Sequence, residues 1–188
     1  AWAAALTYLP HTTIATAGLF LYCDWLAQLR PPLGDQLSRG PRPRQSAWSG
    51  AVFLVLALAA SGLPPLSGFV TKLALLQAFD GGVWRAALWS ALLLSSFAVA
   101  LALARAASTI FWESTPAHRA PQDAPIAAPP RSLAIALAAC SLASPALTIG
   151  AGQLFAYAGH AAVQLQDWHA YRRATLPNSD AVTRERRP

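Results

Sequence analysis

The sequence predicts an all-α membrane protein that crosses the bilayer several times. Hydrophobic residues make up 55% of the chain and charged residues only 12%, a composition more apolar than that of soluble domains. Apolar stretches of about 20 residues or more alternate with polar connections rich in proline and arginine, as expected for transmembrane helices joined by loops. The predicted architecture is four transmembrane helices, one of them broken, followed by an amphipathic helix at the membrane interface.

The first predicted span covers residues 2–26, which at about 1.5 Å per residue can cross a hydrocarbon core of about 30 Å with some tilt. Pro10 and His11 interrupt its apolar character near the start. The connection over residues 28–46 carries Arg30, Arg39, Arg42 and Arg44 among prolines and glycines that a helix would not tolerate. We expect this connection to be an exposed loop.

The second apolar run covers residues 47–79 and would be about 50 Å long as one straight helix, which is longer than the bilayer core requires. Pro64 and Pro65 also remove two backbone donors from its middle. The sequence therefore predicts a helix broken at residues 62–68, with Gly62, Pro64, Pro65 and Gly68 at the break. Non-helical backbone at membrane depth must be buried in protein or line a water-filled cavity.

The remaining elements follow from the same pattern. A third span is predicted over residues 83–111, with Trp84 and Trp112 as interfacial anchors, and a fourth over residues 132–149. Apolar residues at helical spacing predict an interfacial amphipathic helix over about residues 153–174. Residues 1–176 thus form one membrane domain, and the polar residues 177–188 are expected to be a disordered tail.

The only lysine of the chain, Lys72, lies inside the second apolar run. A lysine at the centre of a membrane helix costs about 2.5 to 3.5 kcal/mol to insert, so chains that keep one usually use it for ion or proton passage. Desolvation disfavours the charged form of an amine, which allows a buried lysine to exchange protons. Alternatively, residues 63–80 form a shallow re-entrant hairpin that leaves Lys72 near the lipid headgroups.

His11 is the second candidate for proton transfer, because histidine titrates near neutral pH and lies here in an otherwise apolar span. A histidine that only packs in the helix bundle is nearly as good an interpretation. The hydroxyls of neighbouring threonines could hold water beside it or bond to backbone carbonyls.

Other function classes find no support in the sequence. There is no phosphate-binding glycine loop, metal-ligand cluster or nucleophile with an adjacent base, so we expect no enzyme active site, metal or cofactor. The net charge of +6 comes from arginines that flank apolar spans, which argues against nucleic-acid binding and indicates the orientation of the spans in the membrane. We expect membrane lipid to surround the spans. Cys23 and Cys140 lie in separate apolar segments and do not suggest thiol chemistry.

Three strings of residues resemble the D subunit of the Mrp/Pha multisubunit cation/proton antiporters. The most specific is Gly62-Leu63-Pro64-Pro65-Leu66-Ser67-Gly68-Phe69-Val70-Thr71-Lys72-Leu73, and the others are Tyr8-Leu9-Pro10-His11-Thr12-Thr13 and Arg105-Ala106-Ala107-Ser108-Thr109-Ile110-Phe111-Trp112. That family is similar to the antiporter-like membrane subunits of NADH:quinone oxidoreductase, which have about fourteen spans and two broken helices. This chain resembles the last four of those transmembrane spans.

The resemblance implies a multi-pass subunit in a bacterial inner membrane that works with other antiporter subunits and moves protons against Na⁺ or K⁺. By this resemblance Lys72 is the proton-channel lysine of the second broken helix, and His11 lies on the preceding span. We expect the chain to be a C-terminal part, with further spans upstream.

Two alternatives to this antiporter subunit stay open. The first is a proton-translocating subunit of a quinone oxidoreductase or a related membrane hydrogenase. The second is a truncated membrane scaffold without transport.

Overall fold

The computed structural model describes residues 2–30, 36, 46–79, 81–112, 129–167 and 172. Within these residues all regular structure is helical and there is no strand, which confirms the all-α prediction. The α-helices with defined bounds in this part of the chain are α1 (Trp2–Leu29), α2 (Ser46–Ser61), α3 (Ser67–Ala78), α4 (Arg85–Ala107), α5 (Arg131–Ile149) and α6 (Ala151–Gln166). Helix α4 continues directly into one π-helical turn, Ser108–Trp112, which was not predicted from the sequence.

Among the described residues, two segments are long and apolar enough to cross a membrane by length and composition: Arg85–Trp112, which is α4 with its π-helical turn, and α5. Helix α2 is also apolar over Ala47–Ser61 but is shorter than a full span. The count of four spans therefore stays a prediction.

Helix α1 lies at the centre of the bundle and packs against α2, α3, α5 and α6. Its buried residues recur every three or four positions, so that one stripe of the helix faces its neighbours. A close approach of three helices is possible at Gly18, where an added Cβ would lie 2.5 Å from a methyl group of Leu56 on α2 and 3.2 Å from Cβ of Cys140 on α5. The core extends from there over Tyr22, Trp25 and Leu137.

The connection over residues 28–46 is predicted to be exposed, but Arg30, its first arginine, is buried. Its backbone N–H donates to the carbonyl of Leu26 at 3.0 Å, which is the hydrogen bond of an α-helix and continues α1 to this residue. The side chain is only 2% exposed, since Arg30 directly follows the end of α1, where Leu26 and Leu29 are buried in the core. The other arginines of that connection lie outside the described residues.

Helix α4 differs from the central helices because none of its residues is buried. It packs mainly against α2 and leaves large hydrophobic side chains exposed, including Leu93, Leu94 and Phe97. The two tryptophans predicted as its interfacial anchors are 75% exposed at Trp84 and 72% exposed at Trp112. An apolar helix with an uncovered apolar surface is typical of contact with lipid or with another membrane subunit.

The second apolar run consists of two helices, because α2 ends at Ser61 and α3 begins at Ser67. Gly62 leaves the helix with φ +76°, a left-handed conformation that favours glycine. Gly68 lies where α3 approaches α2, and an added Cβ there would collide with the backbone carbonyl oxygen of Ala59. The break is therefore a compact turn that holds the two helices against each other.

Helix α6 follows α5 after a turn at Gly150 and packs against α1, where it buries Ala158 and Ala162. Its other flank carries exposed apolar and polar side chains, including Val163 and Leu165. The membrane-interface location predicted for this helix stays a prediction. Residues 168–171 and 173–174 of the predicted helix, and the predicted tail 177–188, lie outside the described residues.

Candidate functional site

The amine of Lys72 is held at the broken helix by three oxygen atoms. Its Nζ donates hydrogen bonds to the backbone carbonyl of Ser61 at 2.8 Å, to the hydroxyl of Ser96 at 2.9 Å and to the carbonyl of Ala60 at 3.3 Å. The side chain is partly buried and extends back from α3 toward the end of α2. A protonated amine has three donors, and each has an acceptor here.

The two proline residues explain why these carbonyls are available. In an α-helix the carbonyls of Ala60 and Ser61 would accept from the N–H groups of residues 64 and 65, but both of these are prolines and have none. Unsatisfied carbonyls in an apolar environment are costly, and the lysine amine satisfies both. The Pro-Pro pair and Lys72 are thus two parts of one arrangement.

Gly62 makes room for the lysine side chain. A Cβ added at this position would lie 2.6 Å from Cδ of Lys72 and 2.8 Å from its Nζ. Such distances are far below van der Waals contact, so any side chain at position 62 would displace the amine.

The Lys72 side chain lines a cavity of about 320 Å³ between α2, α3 and α4. Lys72, Ser61 and Ser96 supply its polar side chains, and the rest of the lining is mainly apolar: Leu63, Phe69, Leu73, Leu76, Leu92 and Phe97. A second, apolar cavity of about 470 Å³ between α2 and α4 shares Ser61, Leu63 and Ala100 with the first. The volume of the first cavity is large enough for several water molecules around the amine.

His11 is enclosed on the other side of α3 and is 3% exposed. Its Nδ1 lies 2.9 Å from the hydroxyl of Ser67, the first residue of α3. That hydroxyl lies 2.8 Å from the hydroxyl of Ser144 on α5. A chain of three polar groups therefore connects α1, α3 and α5 inside the bundle.

The two candidate proton-transfer residues, Lys72 and His11, are neighbours without being hydrogen-bonded to each other in the described structure. Lys72 is close enough to act electrostatically on His11. Gly68 lies between their two environments, since a Cβ there would be 3.0 Å from Cε1 of His11 and 3.0 Å from Cα of Gly62. The break residues predicted from the sequence thus lie at the junction of both groups.

One stretch of 76 residues, 40% of this chain, is 33% identical to the D subunit of a Na(+)/H(+) antiporter of Alkalihalophilus pseudofirmus. The match covers 15% of the length of that protein, so this chain corresponds to a small part of its relative. Over that part, the chain is similar to a cation/proton antiporter subunit. No family model matches the chain, and no solved structure matches it.

Three serines of the site were not predicted from the sequence: Ser67, Ser96 and Ser144. Each lies on a different helix from the residue it contacts, and a single sequence carries no signal for such a pairing. The position of Ser67 directly after the break, as the first residue of α3, is the one local indication. Serines in apolar helices commonly bond to their own backbone, which conceals a contact with another helix.

Proposed function

We propose that this chain is part of a membrane subunit of a multisubunit cation/proton antiporter and that it supplies part of a transmembrane proton-transfer path. The observation that carries the proposal is the amine of Lys72, held by two backbone carbonyls freed by Pro64 and Pro65 and facing a cavity. The partial similarity to a Na(+)/H(+) antiporter subunit supports the same function.

The hydrogen-bond partners of Lys72 suit both protonation states of the amine. The protonated amine donates to all three acceptors. When a water in the cavity takes the place of the Ser96 hydroxyl as acceptor and accepts the proton, the neutral amine keeps its two donors to the carbonyls and gains a lone pair. The hydroxyl of Ser96, which now donates to the carbonyl of Leu92 at 2.7 Å, can rotate and donate to that lone pair instead. Proton uptake and release would then leave no buried polar group without a partner.

We propose that the break residues and His11 support this relay. Gly62, Pro64, Pro65 and Gly68 would hold the helix open so that water and carbonyl oxygens reach the amine. His11 would extend the polar path away from the cavity. The subunit would cross a bacterial inner membrane four times and act with the other subunits of the complex. It would exchange protons for Na⁺ or K⁺ without enzymatic chemistry, metal or cofactor.

The test is antiport by the full-length protein in its assembled complex, measured in everted membrane vesicles from a host without antiporters of its own. Proton movement is followed by a fluorescent pH indicator after addition of Na⁺ or, separately, K⁺. We expect Lys72→Ala to lower antiport on the order of a hundredfold, the range lost when a proton-transferring group is removed. Gln77→Ala, which removes an exposed polar side chain from the same helix, is expected to keep wild-type antiport. Wild-type antiport by Lys72→Ala would contradict the proposal.

A further inference from the structure

We infer that Ser144 on α5 is a positioning residue for His11 and acts on it through the hydroxyl of Ser67. The inference rests on the proposed function, because it assigns a role to a residue beside the proposed proton path. It makes α5 part of the site, although α5 carries none of the residues predicted from the sequence.

The geometry is a continuous hydrogen-bonded chain. The His11 imidazole, the Ser67 hydroxyl and the Ser144 hydroxyl follow one another at 2.9 Å and 2.8 Å, and they are 3%, 2% and 4% exposed. Hydrogen bonds enclosed in this way are stronger than exposed ones, and leaving one member unpaired is costly. The imidazole ring is therefore held in one orientation from outside its own helix.

The chain also constrains which nitrogen of His11 carries a proton. Ser67 has one hydroxyl hydrogen and can donate it in only one direction. If Ser67 donates to Nδ1 of His11, Ser144 must donate to Ser67. If His11 donates from Nδ1, either Ser67 donates to Ser144 or Ser144 donates to the second lone pair of the Ser67 oxygen. The hydroxyl of Ser144 thus completes either arrangement, and its removal disturbs the balance between them.

Few other groups can set the protonation of His11. Of the titratable groups in the described structure, Lys72 on α3 acts on it electrostatically, and the ring of Tyr8 on its own helix lies 5.9 Å away between centroids. The α5 and α6 residues around the small void beside His11 are apolar: Leu147, Ala151, Leu154 and Phe155. Besides burial and Lys72, the hydroxyl pair is therefore the polar influence that hydrogen-bonds to the imidazole.

Ser141 offers a matched control for Ser144. It lies one turn earlier on α5, is also buried, and donates its hydroxyl hydrogen to the carbonyl of Leu137 at 2.8 Å. Replacing either Ser141 or Ser144 by alanine removes one buried hydroxyl group from α5. Only Ser144 is connected to His11.

The experiment measures the pH dependence of antiport for Ser144→Ala, Ser141→Ala and the wild type, using the full-length assembled complex in everted vesicles. We expect Ser144→Ala to shift the pH of half-maximal antiport by about 0.5 to 1 unit, the shift that corresponds to one hydrogen bond. Ser141→Ala is expected to leave that pH unchanged, and Ser144→Thr, which keeps a hydroxyl, to restore it. We expect a shift to higher pH if Ser67 donates to His11, and a shift to lower pH if His11 donates to Ser67 and Ser67 donates to Ser144.

A second variant keeps the inference testable if Ser144→Ala does not assemble. Ser67→Ala removes the middle of the chain and should give a shift of similar size, and a double replacement should shift no further because both act through one contact. Unchanged pH dependence in Ser144→Ala, or in Ser67→Ala where only that variant assembles, would overturn the inference. If Lys72→Ala also loses antiport, the proposed function survives such a result. Full antiport by Lys72→Ala would instead remove the proposed function itself.

Discussion

The surroundings of Lys72 and of His11 lie on opposite sides of α3 and are built in different ways. Lys72 is bound mainly by backbone carbonyls and opens onto a cavity of about 320 Å³. His11 is 3% exposed, is bound by a serine hydroxyl and has a void of about 10 Å³ beside it. The side of α3 that carries Lys72, the open side, is formed with α4, which has no buried residue. The side that faces His11, the closed side, is formed with α1, α5 and α6.

In the proposed function, this difference separates two tasks on the two sides of α3. A group that exchanges protons with water needs a cavity and acceptors that remain in place when the proton leaves, and carbonyls freed by Pro64 and Pro65 meet that need. A group that passes protons within the protein needs a fixed orientation and exclusion of bulk water, which Ser67 and the surrounding helices provide. Gly68 keeps the two environments in contact.

The largest effect is expected at Gly68, where both environments depend on one missing side chain. Gly68→Ala places a methyl group against the carbonyl oxygen of Ala59 and near the imidazole of His11, so α3 must move away from α1 and α2. We expect a loss of about 3 kcal/mol in stability and a failure of the complex to assemble. Thermal denaturation of the purified complex, followed by size-exclusion chromatography, measures both.

Gly159 on α6 provides the control for this prediction. A Cβ there meets no heavy atom within 4 Å, so Gly159→Ala should be neutral or stabilise the helix by about 0.5 to 1 kcal/mol. An equally stable complex with Gly68→Ala would show that the two environments are not in contact as described.

A second, slightly smaller effect distinguishes proton exchange from a structural charge at Lys72. Arginine keeps the positive charge and several donors but does not release its proton at any accessible pH. We expect Lys72→Arg to assemble normally and to lower antiport on the order of a hundredfold, as Lys72→Ala does. Antiport near the wild-type level with arginine would mean that the site needs only a positive charge. It would contradict proton exchange by Lys72.

A third prediction tests whether Gly62 acts through the lysine or only through its backbone conformation. Gly62→Ala displaces the amine and also places a side chain at φ +76°. We expect antiport to fall about tenfold, because a small misplacement of a reacting group is costly. Gly82 has φ +92° but open space around it, so Gly82→Ala carries a similar strain of about 1 to 2 kcal/mol without touching the site. Equal antiport in the two variants would refute the steric role of Gly62.

The open side of α3 could be predicted from the sequence more fully than the closed side. Pro64, Pro65 and Lys72 are conspicuous because each is unfavourable in an apolar helix, and their local spacing already indicates a break with an amine beside it. The closed side depends on Ser67 and Ser144, which are 77 positions apart, and on how several helices pack. Tertiary structure sets such a contact, and a single sequence does not show which distant residues come together.

Arg30 shows the same limit at the end of a helix. The predicted span ends at residue 26 and the predicted exposed connection begins at residue 28, whereas α1 extends to Leu29 and Arg30 is buried. The last turn of α1 is buried in the core at Leu26 and Leu29, and Arg30 follows it directly, which the sequence does not reveal. Helix ends are the least reliable part of any such prediction.

The smallest expected effect concerns the serine that completes the open side. Ser96→Ala removes one of three acceptors of the Lys72 amine and leaves both carbonyls in place. The loss of one hydrogen bond of about 1 kcal/mol should lower antiport about fivefold. Ser95→Ala is the matched control, because the hydroxyl of Ser95 also bonds to the carbonyl of Leu92, at 3.0 Å, but does not contact the lysine. If both variants behave alike, the carbonyls alone hold the amine, and the alternating role assigned to the Ser96 hydroxyl is wrong.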